Sequence, residues 1–431
     1  MAAIVARLVR WLGPTQLDLA EEAVQDALLQ AMRTWPGAGV PANPPGWLHR
    51  AARNRAIDLI RRRAQDLPPS LAREEMLARV PVPRTFGPKD PALTFDSDET
   101  AGEDRLWILL LCCHPALSRP AQMAIALRLG AGLGAREIAR AFREPVPTIQ
   151  QRLVRARKRL AQERLDLHVP ADELAARLDA VRAVLFALYS EGYLATTGEL
   201  TRDDLIAESI RLTSLLADHP LGDTPATHAL LAMMLLQTAR LPARVSGTSA
   251  LVPLGEQDRS RWDFDLVRMG YVSLRRAATG DVVSDYHLLA DIAACHTPPD
   301  PTAPTNWARI LQCYDALLAR KPSAIVALNR IVALAEVEGT DAALRALETL
   351  RRSGALRDYH LFHATDAELL RRAGRHAAAA AARGRAADLT SNPAERAFIT
   401  SRRAALCQSV EEPGAGAATE PSGAGTPSLV T

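Results

Sequence analysis

Aromatic residues make up only 4 % of this chain. It has no Asn-Gly hairpin turn and no long Val/Ile/Thr alternation, which argues against a strand-based architecture. No stretch of about 18 apolar residues occurs, so no segment is built to cross a bilayer as a helix. The first apolar run, Met1 to Gly13, carries Arg7 and Arg10, whereas a secretory leader keeps its core uncharged. Cysteine is scarce: Cys112, Cys113, Cys295, Cys313 and Cys407 show no CxxC spacing. That excludes a disulfide framework and fits a reducing cytoplasm. No P-loop, nucleophile elbow or dinucleotide fingerprint is present, so the sequence calls for neither an enzyme nor a cofactor.

What the chain does contain is Ala, Leu and Arg, within a hydrophobic fraction of 48 %. That composition favours helix, and the expected fold class is all-α. A length of 431 residues suggests about two to four domains. The net charge is only +3, but it is unevenly spread. Residues 1–65 hold nine basic and five acidic residues, and residues 119–164 hold eleven and three. The remainder is acidic, with 32 basic against 41 acidic residues. Two basic blocks in an acidic chain are the footprint of local polyanion binding.

The expected organisation has five parts. Residues 1–65 form helices around a Pro/Gly loop at 36–45, with Asp18 capping the helix before the loop and a second helix starting near Pro45. Residues 66–103 are a proline-rich, mobile linker with a short helix at 71–78. Residues 104–165 form a second helical domain. Residues 170–406 form a third, opened by Leu174, Leu178, Val181, Leu185 and Leu188 at helical spacing. Residues 407–431, rich in Gly, Ala, Pro, Ser and Thr, are expected to be disordered.

Within 170–406 a repeat is visible. Gly339 and Gly374 lie 35 residues apart, each followed by an alanine-rich stretch: Ala342, Ala343, Ala346, then Ala377, Ala378, Ala381. A period of about 34 with small residues in the second helix suggests tetratricopeptide-like helical pairs.

The strongest local signal is a helix-turn-helix within residues 134–159. The first helix turns Ile138 and Phe142 inward. A proline at 145 ends that helix, and Pro147 suits the first turn of the next. There Ile149, Leu153, Ala156 and Leu160 form an apolar stripe. Pro147, Thr148, Gln150, Gln151, Arg152, Arg155, Lys158 and Arg159 remain for the groove. A helix of this kind lies in a major groove with its N-terminal polar residues at base edges and its basic end on phosphates. A basic surface helix of an ordinary bundle is the plainer alternative.

Arg136-Glu137-Ile138-Ala139 followed by Pro147-Thr148-Ile149-Gln150-Gln151-Arg152-Leu153-Val154-Arg155-Ala156-Arg157 resembles region 4 of the extracytoplasmic-function sigma factors. The segment Asp18 to Leu28 resembles the part of their region 2 that grips RNA polymerase, and Pro45 to Arg62 the part that opens and reads the minus-ten element. The order of these segments, with a linker between them and no region 3, carries the resemblance. Cys112-Cys113-His114-Pro115, the segment Glu256 to Asp263 and Ala327-Leu328-Asn329-Arg330 resemble recurring phrases of the subgroup with a long C-terminal helical extension.

The resemblance implies a sigma factor that binds promoter DNA and the clamp helices and flap of core RNA polymerase. Asp18, Glu21, Glu22, Gln25 and Asp26 would face the polymerase. Asn43, Trp47, Arg50, Arg53, Asn54, Arg55, Arg61 and Arg62 would meet the melted strand. The C-terminal domain would modulate activity through a regulatory protein or an intramolecular contact. In two respects the chain departs from the family pattern: it begins inside the first region 2 helix, and Gln150 and Gln151 stand where relatives often carry basic or hydroxyl residues.

Each of these segments also has a plainer reading. The acidic residues fit a solvated helix face, the loop fits a simple connection, and Trp47 fits a core position. Cys112, Cys113 and His114 invite zinc, but adjacent cysteines chelate poorly and no metal is expected. Glu256, Asp258, Asp263, Arg259 and Arg261 fit a salt-bridge network or partner surface better than a catalytic cluster. Two other functions remain open: a helix-turn-helix regulator without sigma activity, and a helical-repeat interaction scaffold.

Overall fold

A computed structural model describes residues 2–13, 16–65, 108–110, 112–130, 132–142, 144–162, 171–193, 201–244, 252–392, 395–402 and 404. These residues are helical or irregular, and no strand occurs among them. The expected linker at 66–103 and tail at 407–431 lie outside the described residues. The chain divides into two compact units, Met1–Leu188 and Tyr189–Thr431.

The first unit opens with α1 (Ala2–Leu12), α2 (Leu17–Ala38) and α3 (Pro44–Gln65). Ile4, Val5, Leu8 and Val9 are buried on α1. Leu19, Ala20, Ala23, Val24, Ala27 and Ala31 of α2 face Ala52, Ala56, Leu59 and Ile60 of α3 in the same core.

Two sequence expectations are corrected in this unit. Asp18 does not cap α2: the cap position is Gln16, without a side-chain bond, and Asp18 lies in the first turn, where its charge suits the helix dipole. The helix also does not stop at Trp35. It continues through Pro36 to Ala38, because a proline in the last turn removes few ladder bonds, and Gly39 N–H closes the end on the Trp35 carbonyl at 3.0 Å. Gly39 has φ +82°, a backbone that glycine adopts without strain. The loop is thus only 39–43. It ends where Asn43 Oδ1 accepts from Gly46 N–H at 2.9 Å, fixing the start of α3.

Next come α4 (Arg119–Leu129), α5 (Ala135–Phe142) and α6 (Val146–Gln162). Ile125 and Leu127 of α4, Ile138 of α5 and Ile149 of α6 are fully buried. At Gly130 a Cβ would lie 2.2 Å from a Leu109 methyl, so the absent side chain lets residues 108–110 sit against the end of α4. The long α7 (Ala171–Tyr193) contains the division between the units.

The second unit contains α8 (Asp203–Asp218), α9 (Pro225–Thr238), α10 (Phe264–Ala277), α11 (Asp285–His296), α12 (Trp307–Arg320), α13 (Ala324–Val337), α14 (Thr340–Arg352), α15 (His360–Arg372) and α16 (His376–Leu389). Helix α9 is buried from Thr227 to Gln237, which makes it the centre on which α8, α10 and α11 pack. Several starts are capped as their residue types predict: Thr224 for α9, Asp263 for α10, Asn306 for α12 and Ser323 for α13.

The repeat is present as successive helical pairs, with Gly339 (φ +90°) and Gly374 (φ +73°) at the turns before α14 and α16. Leu328, Ile331, Ala343, Leu347, Phe362 and Leu369 share one core. The second alanine set falls on α16. Ala379, Ala382 and Ala386 are the buried ones, whereas Ala377, Ala378 and Ala381 are exposed. Alanine alone does not mark a face, because α16 is alanine on all sides.

Candidate nucleic-acid interface

The helix-turn-helix is built as its residues predict. Glu137 reaches back to accept from Gly134 N–H at 2.6 Å, fixing the start of α5. The turn closes with Glu144 N–H donating to the Ala139 carbonyl at 2.9 Å. Along α6, Ile149, Leu153, Ala156 and Leu160 are buried. Pro147, Thr148, Gln150, Gln151, Arg155, Lys158 and Arg159 are exposed. One residue assigned to the groove is engaged elsewhere. Arg152 grips Glu144 with a two-pronged pair at 3.0 and 2.6 Å and lies over the Phe142 ring at 5.8 Å. Such a fork fixes the recognition helix against the turn. Arg155 is under a lighter restraint, donating to Gln151 Oε1 at 3.2 Å.

The basic helix α3 sorts its residues differently. Arg50, Asn54, Arg61 and Arg62 are exposed. Arg53 lies over the Trp11 ring at 4.6 Å, and Arg55 Nε pairs with Asp26 at 2.5 Å. Trp47 is half-buried and meets Trp35 edge-on at 5.5 Å, so its ring is committed to the joint between α2 and α3. Asn43 is exposed, but its carbonyl oxygen serves the start of α3. His49, which sequence reasoning missed, is buried on this helix. Burial, then Arg7 and Arg53, push its pKa down to about 4, so it is neutral.

The acidic residues of α2 also divide. Asp18, Glu22 and Gln25 are exposed, Asp26 is half-buried against Arg55, and Glu21 is only 7 % exposed. Glu21 receives Arg157 of α6 at 2.5 Å and Arg128 of α4 at 3.4 Å. Arg157 also lies 3.7 Å from Asp18. The spacing of residues 18–26 located this face but could not show that Glu21 has partners within its own chain.

The other sequence clusters make contacts within the chain. Burial raises both thiols, Cys112 well above its usual range and Cys113 to about 12. Among the described residues no group of three or more His, Cys, Asp or Glu could hold a metal ion. Asp258 and Asp263 bond backbone N–H groups at the starts of short and long helices, and Arg259 donates to the Pro301 and Ala303 carbonyls. Glu256 pairs with Arg402. Together they tie down the loop around the buried Trp262. Among the described residues no helix is long and apolar enough to cross a membrane.

Comparison with known proteins assigns these segments. Residues 2–65 match sigma-70 region 2, residues 107–160 match sigma-70 region 4, and residues 177–278 match a family of unknown function, DUF6596. An uncharacterized protein of Rhizobium meliloti (strain 1021) is 36 % identical over 393 residues, covering 89 % of each chain. No solved structure matches. With an α2–α3 pair in the first segment, an exposed polar recognition helix in the second and a helical extension after both, the chain belongs to the sigma-70 family as an extracytoplasmic-function-like sigma factor that directs promoter-specific transcription initiation.

Proposed function

We propose that α6 anchors the upstream promoter element through Thr148, Gln150, Gln151, Arg155, Lys158 and Arg159, with Arg152 as the brace that orients it. The observation that carries this is the division of one helix into a buried apolar stripe and an exposed row of amide, hydroxyl and cationic groups. Gln suits adenine and Arg suits guanine or phosphate. Arg50, Asn54, Arg61 and Arg62 of α3 meet the melted minus-ten strand, beside the short loop 39–43. The exposed acids Asp18 and Glu22, with Gln25, face the clamp helices of core polymerase, and region 4 meets its flap. Two contacts on one chain gain affinity through effective concentration. The C-terminal helical unit modulates activity.

Run-off transcription with purified core RNA polymerase tests this reading. Transcripts that require the protein support it. DNA binding without transcription points instead to a regulator that does not touch polymerase, and no DNA binding at all leaves an interaction scaffold. Removing residues 189–431 tests the C-terminal role, and unchanged transcription would sink it.

A further inference from the structure

The repeat in the second unit holds a groove of about 1110 Å³, lined by α14, α15 and α16. Leu344 and Leu350 of α14, Leu370 of α15, and Ala378 and Ala381 of α16 form its apolar part. The two alanines are exposed, so they offer a partner apolar contact with little side-chain bulk in the way. Six arginines line the same groove, and they divide into two sets. Arg351 is held by Asp366 at 2.7 Å and by Glu348, Arg352 lies 3.6 Å from Glu348, and Arg357 pairs with Asp358 at 3.3 Å. Arg345, Arg375 and Arg385 are exposed and have no acidic partner among the described residues. Two of the three lining carboxylates, Glu348 and Asp366, are taken up in the first set, which leaves Asp341. The groove therefore presents three uncommitted cations against one carboxylate, around an apolar floor.

We propose that this groove docks an acidic amphipathic helix of a partner protein, its carboxylates on Arg345, Arg375 and Arg385 and its small apolar residues against Ala378 and Ala381. An apolar floor inside a charged rim is the anatomy of a protein interface. The walls are helices and offer no free strand edge, so the form that fits is a helix, whose backbone bonds are already made. Arg375 and Arg385 stand at the start and in the body of α16, ten residues and about 15 Å apart along its axis. A docked helix of three turns spans that distance and carries carboxylates along one flank at spacings of three and four. A DNA duplex would meet the rim alone, whereas a peptide helix reaches the floor as well. The proposal goes beyond the reading of the C-terminal unit as a modulator, because the groove fills whether or not transcription changes.

Fluorescence anisotropy on the full chain tests this. The probe is a dye-labelled helical peptide of Glu, Ala and Leu, and the control carries Lys in place of every Glu. Saturable binding of the acidic peptide is expected, weakened by added salt, with none of the control. Arg345→Ala combined with Arg375→Ala and Arg385→Ala should weaken it roughly tenfold, as the loss of three partly exposed ion pairs does. Ala381→Trp leaves every charge in place but fills the floor, and should weaken binding by at least as much. Changing the same three arginines to Glu should transfer binding to the Lys peptide. No saturable binding of the acidic peptide overturns the proposal, as does equal binding of both peptides. Acidic-peptide binding that survives in both the arginine variant and Ala381→Trp sits elsewhere on the chain and overturns it too. A random-sequence duplex is the last arm: if its affinity falls in the arginine variant while the peptide's does not, the arginines serve DNA and the helix-docking reading fails.

Discussion

Helices α3 and α6 are both rich in arginine and both lie in sigma regions, yet they use their charges differently. On α6 an apolar stripe, with Arg152 and Arg157 paired to Glu144 and Glu21, holds the helix to its domain, and Arg155, Lys158 and Arg159 are at the surface. On α3, Arg53 covers Trp11 and Arg55 pairs with Asp26, so part of the positive charge holds α3 to α1 and α2. A cation in a basic block can thus serve the fold as well as the surface. Arg152 makes the same point within α6 itself.

The sharpest way to break this contrast is to remove the exposed charges of α6 together. Arg155→Ala with Lys158→Ala and Arg159→Ala should weaken promoter-duplex binding by about 10³-fold, roughly tenfold for each phosphate left without its cation, and should flatten the salt dependence. Anisotropy titrations at two salt concentrations measure both, and the melting temperature should hardly move.

On α3 the expected effects fall on stability instead. His49 is neutral because its folded pKa, about 4, lies below its unfolded value near 6.5. Its contribution is fully present above pH 6.5 and is lost as pH falls towards 4, since the unfolded chain binds the proton more readily. The loss at the acid end is about 3 kcal/mol. Denaturant titrations across that window should show a shallower acid slope in His49→Gln. If the slope is unchanged, the histidine is not closed off from water.

Trp47→Ala should cost about 2 kcal/mol of stability by unmaking the edge contact with Trp35, while Trp47→Phe recovers part of it. Calorimetry separates that outcome from a ring that serves only DNA, for which the melting temperature would be unchanged. Smallest of all, Arg55→Ala should lower stability by about 0.5 kcal/mol, as a partly exposed ion pair does. Its duplex affinity should stay within twofold of the parent. A large drop in binding would mean that Arg55 leaves Asp26 for DNA and would erase the difference between the two helices.

Much of the fold is legible in the sequence because its signals are local. The stripe Ile149–Leu153–Ala156–Leu160, the prolines around the turn and the two repeat glycines act within a few residues of themselves. What is not legible depends on distant partners. Glu21 resembles its exposed neighbours Glu22 and Gln25 until α4 and α6 supply arginines. Asp26 and Arg55 are 29 residues apart, and nothing in either segment announces the other. Pro36 reads as a stop because proline opposes helix interiors, yet the last turn tolerates it. The exposed alanines of α16 show the same limit, since a uniform helix carries no periodic signal.

The edge-on pair of Trp35 and Trp47 has an optical consequence. It joins the last turn of α2 to the first turn of α3, on either side of loop 39–43. Indole emission depends on the surroundings of the ring, so this joint is an intrinsic gauge of the loop. A strand seated there would change its fluorescence, and the arrival of DNA at region 2 could be timed without any added dye.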